Sequence, residues 1–307
     1  MIEDFQIEIE QFLEKENIPF YRNESSDSHI HPIILTNRKL RIVPVGLSLF
    51  EKDGYKRAEL LIKNFLHPNQ FPNNDEETLF IYQDRWRYNK EQIKQRVLLR
   101  TGIFKSVFAR NCKVLSNITS ILEEEKRVLQ KIEKMDSRTE ERIKKFIAKH
   151  HSLGFVKSPY ILALEYRENI VAAATFSKPI VTKQTLNGIE KRFLSFEWTR
   201  YVSFADVSVV GAMGKLLHAF LKQISQNQEL SIEIMSYSDN EWSGGEAYKK
   251  LKFSYIEERP PILHYVDIKS WERVSERIAQ KKIKNNPEVS YLKIYNLGSR
   301  KWLLHSK

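Results

Sequence analysis

The chain reads as a mixed α/β protein with more than one domain, and three observations carry that expectation. Short β-patterned runs alternate with amphipathic helical runs along nearly the whole length. At 307 residues there is room for two cores of ordinary size. Hydrophobic residues at 41% and aromatics at 11% supply enough apolar surface to fold rather than remain disordered.

Taken in order, residues 4–16 put Phe5, Ile9, Phe12 and Leu13 on one helical face. Between Ile33 and Phe50 the pattern turns to β, with Leu40, Ile42, Val43, Val45, Leu47 and Leu49 interrupted by Pro44 and Gly46. Lys56–Phe65 predicts a helix, residues 67–77 a Pro/Asn/Asp-rich loop, and Thr78–Tyr82 a buried strand. A helix over Asn89–Arg100 follows, with Ile93, Val97 and Leu98 inward. Ile118–Met135 reads as a charged helix, and Ser137-x-x-Glu140 as a capping box opening a second helix that Gly154 can stop.

Three strands are expected next: Tyr160–Tyr166, Ile170–Phe176 and Arg192–Val202, the first two joined by a tight Arg-Glu-Asn loop. A helix over Gly211–Gln223, a strand at Ser231–Ser236, a helix at Gly245–Leu251 and a strand at Tyr255–Glu258 complete the series. The tail from Lys269 predicts a helix with Trp271, Val274 and Ile278 inward, stopped by Asn285-Asn-Pro287. Residues 289–304 read as a hairpin turning at Leu297-Gly298. The expected domains are 1–112, 113–268 and a basic extension, 269–307.

The net charge is +11, and the tail from Lys269 alone holds ten Lys or Arg against three Asp or Glu, a net +7. That favours an anionic partner, nucleic acid before membrane, although a charge run is most often a solvated face. Arg273, Arg277, Lys281, Lys282, Lys284, Arg300 and Lys301, interleaved with Tyr291, Tyr295 and Trp302, are the candidate phosphate contacts. One cysteine, Cys112, excludes an internal disulfide and suits a reducing cytosol. The acidic opening MIEDFQIEIEQF is unlike a signal peptide, and no apolar run approaches the ~18 residues of a membrane span. A cytoplasmic protein is expected. The eight histidines are scattered and no metal is expected.

Two glycine-bearing strand-to-helix junctions stand out. In the first, Ser208-Val209-Val210-Gly211-Ala212-Met213-Gly214-Lys215, free backbone N–H groups at a helix start can bind an anion such as a pyrophosphate. In the second, Asp239-Asn240 leads to Gly244-Gly245 and a helix bearing Tyr248.

These junctions, the order of elements and the ending AYKKLKF (247–253) resemble the GNAT acyltransferase fold. In that family the first junction cradles the coenzyme A pyrophosphate, so the resemblance implies acetyl-CoA or another acyl-CoA as cofactor, held by residues 209–215. It implies Tyr248 as the acid for the leaving thiolate, against a core tyrosine. It implies Glu197 as a general base, against a structural pairing with Arg200 that requires a bulged strand. Three departures are visible: Ser208 for a basic or amide residue, Met213 for a small one, and Lys252 for the glycine before Phe253.

Within the family, KHHSLGF (149–155), FEWTRYVSF (196–204), SVVGAMGKL (208–216), SYSDNEWSGG (236–245) and KIYNLGSRKWLL (293–304) resemble GNAT-like domains of phage and mobile-element proteins. Those domains follow a nuclease-like domain similar to the very-short-patch-repair endonucleases, and FIYQDRWRYNKEQIKQRVLLRTG (80–102) resembles the end of such a domain. The subgroup implies an acceptor site near His150 and His151, for which capping is the competing role. Asp239, Asn240, Gly244 and Gly245 are substrate-binding or turn-forming candidates. The reading is an acyl-CoA-dependent transferase acting on or bound to DNA, with an inactive nuclease-like domain. A non-catalytic DNA-binding or assembly protein is the alternative that the departures motivate. A Mg-dependent endonuclease using Glu51 or Asp53 is the third, against solvated charge in a turn.

Overall fold

The computed structural model describes residues 2–23, 31–36, 39–66, 77–102, 106–118, 132–186, 189–204, 207–225 and 230–306. Helices and strands are mixed throughout, as the patterning predicts. The chain divides into two compact units, each assembled from three segments. Met1–Thr101, Tyr237–Glu246 and Glu257–Lys301 form the first, and Gly102–Ser236, Ala247–Ile256 and Trp302–Lys307 the second. These interleaved units differ from the contiguous stretches 1–112, 113–268 and 269–307. The physical reason lies in the tail, whose apolar Ile294 and Leu297 bury in the same core as Val43, Val45 and Phe80.

In the first unit, strands β1 (Phe20–Arg22), β2 (Ile33–Leu35), β3 (Leu40–Val45) and β4 (Glu77–Tyr82) lie in that order, antiparallel except for β3–β4. Both faces are covered. Leu40, Ile42, Leu79 and Ile81 meet Phe5, Ile9 and Leu13 of helix α1 (Ile2–Lys15), while Val43, Val45, Phe80 and Tyr82 meet Ala58 and Leu61 of α2 (Gly54–Phe65). Pro44 is tolerated in β3 because the β2 pairing ends at Ile42, so no ladder bond is lost on that side. The helix expected over Asn89–Arg100 is α4 (Lys90–Thr101), and a further short helix, α3 (Gln83–Tyr88), precedes it, the two separated by Asn89 at φ −127° and ψ 42°.

The tail also departs from expectation. Strands β15 (Leu263–Asp267), β16 (Arg273–Ser275) and β17 (Tyr291–Tyr295) form a small antiparallel sheet, and helix α8 starts only at Glu276, running to Asn285. Pairing of residues 273–275 with β15 rotates the helical face, so Ala279 is inward and Ile278 is 43% exposed. No hairpin forms over 289–304. β17 pairs with β15, whereas β18 (Ser299–Ser306) lies between β14 (Ser254–Arg259) and β13 (Ser231–Asp239) in the large sheet.

The second unit is built on that sheet, whose order is β14-β18-β13-β11-β9-β8-β6-β7. Its other strands are β6 (Lys113–Ser116), β7 (Ile132–Lys134), β8 (Tyr160–Tyr166), β9 (Asn169–Phe176) and the long β11 (Ile189–Ser203), with β10 (Ile180–Leu186) paired on β11. The β8–β9 turn places Arg167 and Glu168 at φ 49° and 64°, the geometry of a two-residue hairpin. Of the charged helix expected at 118–135, residues 119–131 lie outside the described residues, and Ile132–Lys134 is a strand because it finds a parallel partner in β6. Helix α5 (Ser137–His150) is capped by Asp136 rather than Ser137, its carboxylate accepting the Thr139 N–H at 2.8 Å.

Helix α6 (Ala212–Ile224) covers one face of the sheet, with Leu216 and Phe220 against Leu162, Phe176, Phe196 and Trp198. On the other face Ile143 and Ile147 of α5 pack on Ile161, Ala163, Ala173 and Val202. A short parallel pair, β5 (Ser106–Phe108) with β12 (Ser208–Val210), stands outside the large sheet and feeds directly into α6.

Candidate functional site

The start of α6 is shaped by Gly211. Its φ of 79° turns the chain from β12 into the helix, a conformation that costs a side-chain-bearing residue ~1–2 kcal/mol. The first bond of the helix runs from the Lys215 N–H to the Gly211 carbonyl at 3.0 Å, so the amides of Ala212, Met213 and Gly214 precede the intrahelical ladder. A cleft of about 360 Å³ lined by Phe108, Ala109, Arg110, Val210, Gly211 and Lys215 lies at this helix start. The Arg110 guanidinium lies 4.9 Å from the Phe108 ring. Lys215 donates to the carbonyls of Ala109 at 2.9 Å and Cys112 at 2.6 Å, pinning the cleft wall to the helix. Val209 is buried, and Gly214 lies close against Leu251, so these two shape the junction from behind. Burial pushes the Cys112 thiol up, against a smaller opposing effect of Lys215, which leaves it a poor nucleophile.

On the neighbouring strands, the parallel β11–β13 register runs from Phe193↔Ser231 to Glu197↔Met235. One residue later β11 bulges against β9, between Trp198 and Arg200. The bulge is the condition under which Glu197 and Arg200 can share a face. Arg200, however, donates to the carbonyls of Gly154 at 3.2 Å and Thr199 at 2.8 Å. Burial lowers its pKa, and the Glu197 charge partly offsets that. Glu197 is half-buried, and its own N–H is held by Ser177 Oγ at 2.9 Å.

Tyr248 belongs to α7 (Glu246–Lys250). Ser236 Oγ donates to the Trp198 carbonyl at 3.0 Å and meets the Tyr248 hydroxyl at 2.8 Å, so Tyr248 is the donor of that second bond. The ring stacks on Trp302 and edges onto Phe253. Burial raises the pKa of the phenol, with the Ser236 bond a smaller, opposing cause. Tyr248 is therefore a packed tyrosine whose proton is retained at neutral pH. His150 sits between Phe146 and Phe204, and His151 accepts the Leu153 N–H on Nδ1 at 3.1 Å, so both take structural positions at the end of α5.

Asp239, Asn240, Gly244 and Gly245 belong to the first unit, whereas Glu197 and Tyr248 belong to the second. Asp239 shapes the following turn, its carboxylate accepting the Glu241 N–H at 2.9 Å and its carbonyl accepting from Trp242 and Ser243. Burial, with Glu241 adding to it, pushes its pKa up to about 7. Asn240 is buried and donates to the Leu297 carbonyl at 2.8 Å. Gly245 has φ 90°, and the Gly244 carbonyl accepts from Arg300 at 3.0 Å.

The candidate nucleic-acid contacts separate into two groups. Arg273 is not a surface residue: its side chain is 2% exposed and closes ion pairs with Asp84 at 2.7 Å and Glu241 at 2.7 Å. Its outward placement fails because β16 directs it into the unit. Lys282 pairs with Glu272, Arg300 with Glu258 and Lys301 with Glu257. Arg277, Lys281 and Lys284 remain on an exposed face of α8.

One polar cluster went unpredicted. Buried Glu233 of β13 accepts from Ser195 Oγ at 2.6 Å and from Gln184, and meets His305 Nε2 at 3.3 Å. The signal was present in Ile232-Glu233-Ile234, a carboxylate alternating with core residues in a strand. Among the described residues no three His, Cys, Asp or Glu side chains converge to hold a metal ion.

No family model matches the chain, and no curated protein matches it. Solved structures are similar at low identity, two among them as follows. A GNAT family acetyltransferase from Elizabethkingia anophelis with acetyl-CoA bound shares 11% identity at a TM-score of 0.29, over 64% of this chain and 99% of that one. A conserved protein of unknown function from Enterococcus faecalis, a probable N-acyltransferase, shares 10% identity at a TM-score of 0.26, over 57% of this chain and 42% of that one.

Proposed function

We propose that the second unit is an acyl-CoA-dependent N-acyltransferase of the GNAT type, and that the protein works on or beside nucleic acid, as the resemblance to phage and mobile-element proteins implies. The observation that carries this reading is the cleft at Gly211. A positive-φ glycine starts a 13-residue helix there, and Gly211, Lys215 and Arg110 line the same space. That donor set suits a pyrophosphate, through backbone N–H groups, the helix dipole and one guanidinium. A bound acyl-CoA would supply an activated thioester carbonyl.

Glu197 is the residue best suited to take the proton from an acceptor amine as its nitrogen bonds the acyl carbon and the C–S bond breaks. Tyr248, kept protonated by burial, suits return of a proton to the thiolate through its bond with Ser236. The exposed Arg277, Lys281 and Lys284 support contact with phosphates, a smaller set than the charge of the tail suggests.

Calorimetry and thermal shift with millimolar acetyl-CoA test the reading. Wild-type protein should bind, and Arg110→Glu should weaken binding at least ~10-fold, a loss of ~1.4 kcal/mol. No heat and no shift in the wild type would remove the cofactor from the reading. A second reading, a non-catalytic nucleic-acid-binding protein, is favoured by one observation: the Tyr248 hydroxyl is committed to Ser236 within a packed aromatic cluster. It expects salt-sensitive duplex binding that Glu197→Gln and Tyr248→Phe leave unchanged, with no acyl transfer.

A further inference from the structure

The short β5–β12 pair carries apolar side chains on its outer face. Its register sets Ser106 against Ser208, Val107 against Val209 and Phe108 against Val210, so the two strands repeat one Ser-Val-apolar pattern. Alternation turns Val107 and Val209 inward, where both pack in the core of the second unit. It turns Phe108 and Val210 outward, and each is 47% exposed. An outward strand position ordinarily carries a polar side chain, as Ser106 and Ser208 do two residues earlier.

Phe108 and Val210 both line the cleft of about 360 Å³ at the start of α6. Paired strands lie ~4.8 Å apart, so the two side chains make one continuous apolar wall. The Arg110 guanidinium lies 4.9 Å from the centre of the Phe108 ring, beside that wall. Lys215 donates to the carbonyls of Ala109 and Cys112, which holds the turn bearing Arg110 against α6. A concave site with an aromatic wall and an adjacent cation suits a flat ligand that carries negative charge. A nucleotide has that chemistry, a base that stacks on a side-chain ring and phosphates that meet a guanidinium.

We propose that Phe108, flanked by Val210, stacks the base of a nucleotide whose phosphates meet Arg110, and that this nucleotide is the adenosine end of the acyl donor. The second half rests on the acyl-CoA reading above, whereas the stacking platform stands without it. Phe108 then sets donor specificity, because a thioester that lacks the nucleotide loses the stacking and the phosphate contacts together. The platform is supplied by β5 and β12, which stand outside the large sheet.

The test is calorimetry on the full chain with acetyl-CoA, adenosine diphosphate, S-acetylpantetheine and a single-stranded oligonucleotide as probes. The wild type should bind acetyl-CoA and adenosine diphosphate in competition. It should bind S-acetylpantetheine at least ~10-fold more weakly than acetyl-CoA, a difference of ~1.4 kcal/mol. Phe108→Leu keeps an apolar wall without a ring. It should weaken acetyl-CoA and adenosine diphosphate at least ~10-fold and leave S-acetylpantetheine unchanged. Phe108→Tyr keeps the ring and should keep both affinities. Because the Phe108 side chain is exposed, neither change should lower the melting temperature.

If acetyl-CoA binds the wild type and Phe108→Leu equally, the platform is overturned and the cofactor reading stands. If adenosine diphosphate binds through Phe108 while acetyl-CoA does not bind, the cofactor reading fails and the platform stands. Phe108-dependent binding of the oligonucleotide, tighter than that of adenosine diphosphate, would overturn the donor assignment and give the platform to a nucleic-acid strand. Absence of binding by every nucleotide probe would overturn the proposal outright.

Discussion

Lys252 holds φ at 64°, in the left-handed region that glycine enters freely and lysine does not. The amide of Phe253 bonds back to the Tyr248 carbonyl at 3.0 Å, closing the end of α7, and Lys252 is the residue that must bend for this to happen. The departure noticed in the sequence, lysine where the resembled family has glycine, is thus a substitution at a position whose backbone still has the glycine conformation. Lys252→Gly should stabilise the protein by ~0.5–1 kcal/mol, the relief of strain less the greater freedom of glycine in the unfolded chain. A rise in the urea midpoint at unchanged slope would show it, and an unchanged or lower midpoint would contradict it. Other residues were less legible. Asp239, by its sequence equally a ligand or a turn residue, orders a turn, which depends on where the neighbouring amides point.

Elements whose periodicity is purely local were readable nearly to the residue. Tyr160–Tyr166 is β8 as expected, and α6 begins one residue after the expected start. Elements whose identity depends on a distant partner were not. Residues 273–275 read as helix and became β16 because β15 was there to pair with them. Gly298 shows the same effect at a turn. It has φ 69°, and a Cβ there would stand 2.0 Å from the Arg259 carbonyl oxygen. The position looked like the tip of a hairpin, yet the glycine is required because another strand's backbone passes it. Gly298→Ala should therefore cost at least ~2 kcal/mol, through both the clash and the forced φ. Chemical denaturation followed by circular dichroism would test this, and a loss below ~0.5 kcal/mol, within the range of ordinary surface substitutions, would contradict it.

At the scale of the molecule, the buried ion pairs of Arg273 join residues far apart in sequence. Asp84, 0% exposed, keeps its pKa lowered although burial, the largest influence, acts to raise it, because the Arg273 charge and hydrogen bonds outweigh that. Arg273 also lies over the Tyr82 ring at 4.5 Å. Removing one partner of such a group leaves buried charge uncompensated, so Arg273→Met should destabilise the first unit by ~3–5 kcal/mol. Replacing all three residues by apolar ones should recover part of that loss. Urea denaturation of the single and triple variants would decide it; equal stability of Arg273→Met and wild type would sink the idea.

Composition and periodicity by themselves determined the mixed α/β class, most core strands and helices, and the glycine start of α6, because these follow from side chains a few positions apart. Only the tertiary structure decided that residues 257–301 complete the first unit and that Arg273 is internal. Those facts depend on which groups meet across long stretches of chain, as Asp84 and Arg273 do at a separation of 189. A run of basic residues shows how much charge is present, but burial and pairing decide which of it a ligand can meet.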